Sequence, residues 1–291
     1  MKLSTQNSNA VARLGFEEGN LLLKRAGYDA LDMSLFSMVN AASPYLAEDW
    51  REYTEAQRRF ADEHGIVFNQ AHAPFSFHWE DPQVRDGMAQ PSVLRSIEVA
   101  AILGADTIVV HPLHYRNFAD HAEDMHRENL DYYRSMIPLC RDLGIKVAVE
   151  NMWQMNPLRR FIDYDVAARP EELAQFIDEL DSEWVTACLD LGHCGLVGED
   201  AAESIRILGH DRLGALHVHD NNFREDTHTL PGMGRMDWPS ICRALHDINY
   251  KGEFTYEADS FLKNFRAEQL PDAAAFMVTI GRGLIAMIEQ D

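Results

Sequence analysis

Cationic side chains are few: Lys and Arg total 26 against 47 Asp and Glu, a formal charge of −21. Proteins that wrap polyanions neutralise phosphates with clustered Lys and Arg, so this balance argues against a nucleic-acid partner. It leaves room for a local metal-lined site that handles phosphate. Cysteine is scarce as well: Cys140, Cys188, Cys194 and Cys242 form no CxxC pair, and a chain of 291 residues needs no disulfides. The expected compartment is a reducing cytoplasm. Met1 to Gly15 lacks an apolar run of signal-peptide type, and no segment reaches the roughly 18 apolar residues of a membrane helix, so no membrane partner is expected. No Pro/Gly/Ser-rich linker divides the chain; its 17 Gly and 11 Pro are spread throughout. A Gly-rich turn after the first strand-like run is missing too, since Gln6-Asn7-Ser8-Asn9-Ala10 stands there. That argues against an open sheet of dinucleotide-binding type. With 46% hydrophobic and 25% charged residues, the chain has ample apolar surface to offset the entropy of ordering.

What recurs is an alternation. Short β-rich runs occur at 2–6, 28–35, 66–73, 106–112, 146–151, 185–191, 215–220 and 253–258, and longer amphipathic stretches separate and follow them. Residues 50–64 carry Tyr53, Ala56, Phe60 and Ala61 among charges and precede Gly65. Residues 91–103 place Val93, Leu94, Ile97, Ala100 and Ala101 at helical spacing before Gly104. Residues 171–180 follow Pro170 with acids in the opening turn, 240–248 follow Pro239, and 273–288 close the chain. Strands alternating with helices predict parallel βαβ units. The count of eight favours the α/β class as a single (β/α)8 TIM barrel over 1–291. In such a barrel, polar residues at the C-terminal strand ends are the candidates for catalysis.

Six consecutive runs end in an imidazole or a carboxylate. They read Ala71-His72-Ala73-Pro74, Val110-His111-Pro112, Val149-Glu150-Asn151, Leu189-Asp190-Leu191-Gly192-His193, Leu216-His217-Val218-His219-Asp220 and Tyr256-Glu257-Ala258-Asp259. Burying charge beside apolar runs is costly unless the groups pair or bind a cation. Neutral imidazole with carboxylate suits Zn²⁺, Mn²⁺ or Co²⁺, and no thiolate cluster suggests a structural zinc knot. Each residue also has an ordinary reading. His111 could be a hydrogen-bonded rim residue, Glu150 a partner of Arg159 or Arg160, and Glu257 a partner of Lys251. Asp190 and His193 could cap the next helix, and Asp226 and His228 could be solvated. Jointly, the same chemistry on strand after strand favours metal.

The remaining histidines divide by position. His64, His121, His126, His210 and His246 read as solvated, whereas His78, His114 and His219 lie near the mouth, where each could contact substrate or simply pack. Phe75, Phe77, Trp79 and Trp153 follow strand ends, where they could wall a pocket or simply pack. Gly232-Met233-Gly234, after the seventh run, is a candidate phosphate-holding turn. Specificity is expected in the loops 75–85, 114–120 and 152–165.

Taken in order, His-Ala-Pro at His72, Val-Glu-Asn at Glu150 and Leu-Asp-Leu-Gly-His at Asp190 to His193 resemble the xylose-isomerase-like superfamily of barrels. Leu-His-Val-His-Asp-Asn at His217, Asp-Thr-His-Thr-Leu-Pro-Gly-Met-Gly from Asp226 and the Glu257 strand complete the resemblance. That superfamily includes sugar and sugar-phosphate isomerases and epimerases, and endonuclease IV. In the epimerase branch the resemblance implies one divalent metal, often Mn²⁺, on Glu150, Asp190, His217 and Glu257. There Glu150 and Glu257 double as the proton-transfer pair, and His193 contacts substrate. In the endonuclease branch it implies up to three zincs that also use His72, His111, His193, Asp226 and His228. This sequence has all nine residues.

Moving a proton between sugar carbons needs a Lewis acid on the carbonyl, a base to take the C–H proton and an acid to return it. The reading is therefore a metal-dependent sugar or sugar-phosphate isomerase or epimerase with a glutamate pair. The alternative is a multi-zinc phosphodiesterase on abasic DNA. A non-catalytic sugar-binding or partner-regulated barrel is a third reading, and a homo-oligomer is compatible with all three.

Overall fold

Each run expected to be a strand forms one in the computed structural model, which describes residues 1–75, 77–156 and 158–290 and omits the side chain of Asp259. Ser76 and Pro157, inside two of the loops expected to set specificity, lie outside the described residues. The barrel strands are β1 (Leu3–Gln6), β2 (Ala30–Ser34), β3 (Phe68–His72), β4 (Thr107–Val110), β5 (Lys146–Glu150), β8 (Val185–Asp190), β9 (Leu213–His217) and β10 (Phe254–Tyr256). Two further strands, β6 (Trp153–Met155) and β7 (Ile162–Tyr164), form an antiparallel hairpin in the loop after β5.

The eight-stranded sheet runs β10-β1-β2-β3-β4-β5-β8-β9. Its pairs are parallel, from Leu3↔Phe254 on one side to Asp190↔His217 on the other. The cylinder closes through a bridge between Val218 and Tyr256, where Val218 N–H donates to Thr255 O at 2.9 Å and Glu257 N–H to Val218 O at 3.1 Å. No sheet edge is left across that seam.

The helices close around this cylinder for the reasons their sequences suggest. Gln90–Leu103 buries Val93, Ile97 and Ala100 and stops at Gly104, whose φ of 86° suits glycine. Pro170–Leu180 places Pro at its start and Glu171 and Glu172 in its first turn, with Leu173, Phe176 and Leu180 buried against the barrel. Each such side chain contributes roughly 1.5–3 kcal/mol when fully buried. Asp200 and Asp237 cap the helices that follow them by accepting N–H from Glu203 and Ser240.

Residues 267–288 are long and apolar enough, by length and composition, to cross a membrane. In the barrel the helix Leu270–Ile288 instead turns Leu270, Ala274, Met277, Leu284, Ile285 and Ile288 into the core. Its apolar content is that of a helix packed over strands.

Candidate metal centre

Strand alternation builds the site. Val109, Ala148, Cys188 and Ala215, from β4, β5, β8 and β9, form a small buried layer of their own. Side chains repeat on one face every second residue, so His111, Glu150, Asp190 and His217 follow two positions on, one layer nearer the mouth. His72 ends β3, and Glu257 lies just past β10. Glu150, Asp190 and His217 are at most 1% exposed, and Glu257 7%.

These groups meet. His217 Nδ1 lies 2.9 Å from Glu150 Oε1 and 3.2 Å from Glu257 Oε2. His111 Nε2 and His72 Nε2 stand 3.1 and 3.7 Å from the other oxygen of Glu150. Asp190 holds His219 Nε2 at 2.9 Å and accepts the His193 N–H at 2.7 Å. His193 Nε2 and His228 Nε2 lie 3.4 and 3.1 Å from Asp226 Oδ2.

Three ligand sets result. In each, the candidate atoms lie within 4.8 Å of one another: Glu150, Asp190, His217 and Glu257; His72, Glu150 and His217; and His193, His219, Asp226 and His228. Among the described residues, buried polar atoms with no hydrogen-bond partner gather at this rim: Glu150 Oε2, His72 Nε2, His217 Nε2, Asp226 Oδ1 and Asp32 Oδ1. Leaving one such atom unsatisfied costs about 1–3 kcal/mol. A divalent cation would satisfy several at once, and oxygen with imidazole nitrogen is the donor set for Mn²⁺, Zn²⁺ or Co²⁺. The residues fit the group.

The electrostatics divide: the carboxylates and His111 are held in the form a ligand needs. His217 and His193, despite burial, are pushed well up by neighbouring acidic groups and would release a proton on binding a cation. Burial alone would raise the Glu150 carboxyl, but His217 and His111 outweigh it and hold the group well below the usual carboxylate range. Burial likewise opposes the charge on Asp190, yet His193 and His219 bring its pKa down to about 2. Both therefore stand ionised at neutral pH, as ligands must. Burial lowers the His111 imidazole to about 4 despite the neighbouring Glu150 carboxylate, which keeps its lone pair free. At His228, Glu257 and Asp226 overcome the cost of burial and raise the pKa to about 10.

The ordinary readings of single residues fare unevenly. Asp190 does cap the following short helix, Leu191–Val197, while also facing His219. Glu150 meets imidazoles instead of Arg159 or Arg160, and Glu257 meets His217 and Gln6 instead of Lys251. Asp226 and His228 are tucked in, with side chains 18% and 24% exposed. His78 is 82% exposed beside Glu80, away from the site. His219 is fully buried against Asp190. His126 and His246, expected to be solvated, are partly covered, one beside Glu179 and the other beside Ile288 O.

Gly232-Met233-Gly234 is no phosphate turn. The Gly232 N–H donates to Asp220 Oδ2 at 2.9 Å and the Met233 N–H to Leu230 O at 3.0 Å, so these donors are already engaged. Asp32, on β2, escaped the sequence reading altogether. It is fully buried, accepts Gln70 Nε2 at 2.9 Å and faces His217 Nε2 at 3.8 Å. The signal for it was a lone carboxylate inside Ala30-Leu31-Asp32-Met33.

Residues 21–280 match the model of the xylose isomerase-like TIM barrel. The chain belongs to that family. It spans about half the length of the curated relatives it matches first, which are uncharacterized proteins. A D-psicose 3-epimerase of Enterocloster bolteae is 28% identical over 79% of this chain and 72% of its own. Among solved structures, a D-tagatose 3-epimerase-like protein superposes with a TM-score of 0.76 at 21% identity, covering 99% of this chain and 98% of that one. A structure of the IolI protein with a bound zinc atom superposes with a TM-score of 0.68 at 16% identity, over 99% and 98% of the two chains. These two likenesses confirm the barrel.

A cavity of about 420 Å³ opens over the centre. Glu150, His193 and Glu257 reach its lining, and Phe75, Met152 and Trp153 are among its walls. That is the size of a small-molecule site in this family's fold. Trp153 is anchored by its Nε1–H, which donates to Asp226 Oδ2 at 3.2 Å.

Proposed function

We propose that the protein is a metal-dependent sugar epimerase or isomerase working by proton transfer at a carbon next to a carbonyl. The observation that carries this is the meeting of Glu150 and Glu257, from well-separated strands, on one nitrogen of His217 at 2.9 and 3.2 Å. The D-psicose 3-epimerase relatives support the substrate class.

Glu150, Asp190, His217 and Glu257 would hold one divalent ion, Mn²⁺, Zn²⁺ or Co²⁺, which when bound polarises the substrate carbonyl. One glutamate takes the C–H proton. The C–H electron pair becomes the C=C bond of an enediolate, and the carbonyl π pair moves to oxygen. The other glutamate returns a proton, either to the opposite face or to the neighbouring carbon, and no net redox change occurs. Gln6 Nε2–H donates to Glu257 Oε1 at 3.1 Å and fixes that carboxylate. Phe75 and Trp153 present ring faces to the chamber beside these carboxylates. The four free, buried cysteines suit a reducing cytoplasm.

The test is exchange of substrate C–H hydrogen with D₂O, using D-fructose and D-psicose on metal-loaded protein. Glu150→Gln and Glu257→Gln should each abolish exchange while the melting curve shows a folded protein. Normal exchange in either variant removes that residue from the pair. Metal content is measured on both variants, so that a lost ion is told apart from a lost base.

A second reading has its own observation. His72, His111, His193, Asp226 and His228 all gather beside the first four ligands, enough for further ions and for phosphodiester hydrolysis at an abasic site. The charge of −21 opposes it. Elemental analysis with incision of an abasic duplex decides: about three ions and incision favour hydrolysis, one ion and no incision the epimerase.

A further inference from the structure

A second chamber adjoins the first. It has a volume of about 230 Å³ and shares Phe75, His111 and His114 with the chamber over the metal centre. Its own walls are mainly aromatic: Phe77, Trp79 and Tyr132, with Tyr115 beside them. The rings are braced edge to face. Trp79 and Tyr132 lie 5.3 Å apart between centroids, Phe77 and Trp79 6.1 Å. Tyr115 is fixed by donating its hydroxyl proton to Glu128 Oε2 at 2.8 Å. Such walls pay little ordering entropy when a ligand binds.

His114 stands at the junction. Its Nδ1 lies 3.3 Å from Oδ2 of Asp165, a fully buried carboxylate whose other oxygen accepts the Val166 N–H at 2.8 Å. The contact is an ion-pair approach and not a hydrogen bond, and it sets the His114 ring beside the passage between the two chambers.

The first chamber alone is large enough for a small sugar, so the second has no work in turning over a free monosaccharide. We propose that the substrate is a sugar carrying a ring-shaped or apolar substituent, which lies in the Phe77–Trp79–Tyr132 chamber while the reacting carbons lie at the metal centre. This rests on the sugar reading of the first chamber. Aromatic faces take the C–H surface of a second sugar ring or an aryl group. His114, at the passage, would hydrogen-bond at the linkage. If the substituent occupies the anomeric carbon, the carbonyl that acidifies the C–H bond must lie elsewhere on the ring.

The experiment is calorimetric titration of metal-loaded protein with two unreactive probes, phenyl β-D-glucopyranoside and methyl β-D-glucopyranoside. The phenyl glycoside should bind about tenfold more tightly. Trp79→Ala should reduce that ratio to near one, and Phe77→Leu should reduce it partly. Melting curves identify a variant that fails to fold, in which case the other variant decides. Equal affinities in the wild type, or a preference that survives both substitutions, overturn the proposal. D₂O exchange with D-fructose and with methyl 3-keto-β-D-glucopyranoside tests the sugar reading separately. A phenyl preference without any exchange leaves the second chamber standing and sinks the catalytic reading. Exchange without a preference sinks only the second chamber.

Discussion

Asp32 lies 3.8 Å from Nε2 of His217, while Nδ1 of the same ring lies 2.9 Å from Glu150. At 3.8 Å this is an electrostatic contact and no hydrogen bond, and a carboxylate that close favours electron density on the ring as a ligand. Asp32 is thus a positioning residue for the metal centre. Asp32→Asn is expected to weaken Mn²⁺ binding about 10–100-fold, measured by competition with a chelator. A purely structural role would lower the melting temperature and leave the affinity unchanged.

Metal should also stabilise the fold. A ligand that binds only the native state contributes about 2.7 kcal/mol at a hundredfold excess over its Kd. Mn²⁺ or Zn²⁺ at that excess should raise the melting temperature by several degrees, and EDTA should reverse the rise. An unchanged melting curve across the titration would show that the gathered carboxylates do not hold the ion.

Glu172 gives a pH signature away from the site. Burial raises its carboxyl to about 7, against an ordinary 4.5, although Ala167 N–H and Arg169 work the other way. The folded state therefore prefers the neutral acid, and stability is lost as pH rises from about 4.5 to about 7. Glu172→Gln should match the wild type near pH 4 and exceed it by on the order of 1 kcal/mol above pH 7. Denaturant curves at both pH values check the sign; a constant difference would refute it.

Gly192 is held to its size by His219. A Cβ there would collide with the His219 ring, and that ring lies 2.9 Å from Asp190. Gly192→Ala should destabilise the protein by about 1–3 kcal/mol and loosen the Asp190 ligand. Gly87→Ala, where a Cβ meets nothing within 4 Å, is the control and should cost little. Chemical denaturation of both variants, with metal content, separates these outcomes.

The barrel was legible because eight short β-rich runs alternate with amphipathic stretches, and six of the runs end in an imidazole or a carboxylate. Val147-Ala148-Val149-Glu150 shows both features: three apolar residues, then a carboxylate two positions beyond the inward-facing Ala148. The hairpin of β6 and β7 was not legible, since each strand has three residues and none is fully buried. Gly232-Met233-Gly234 misled because its role is set by Asp220, twelve residues before Gly232, whose carboxylate accepts from both Gly232 N–H and Met236 N–H. Asp32 went unnoticed because it lies inside a strand, where its partners Gln70 and His217 come from other strands. The sequence shows which residues end each strand; the closing of the cylinder decides which of them become neighbours.

The hairpin begins three residues beyond Glu150, and its Trp153 walls the first chamber. The candidate ligands Glu150, Asp190 and His217 thus sit on the parallel ladder, while part of the chamber wall above them sits on an appended ribbon. Replacing the ribbon leaves the ladder's hydrogen bonds untouched. Substitutions confined to the ribbon reshape the chamber wall while the strands that carry Glu150, Asp190 and His217 keep their pairing.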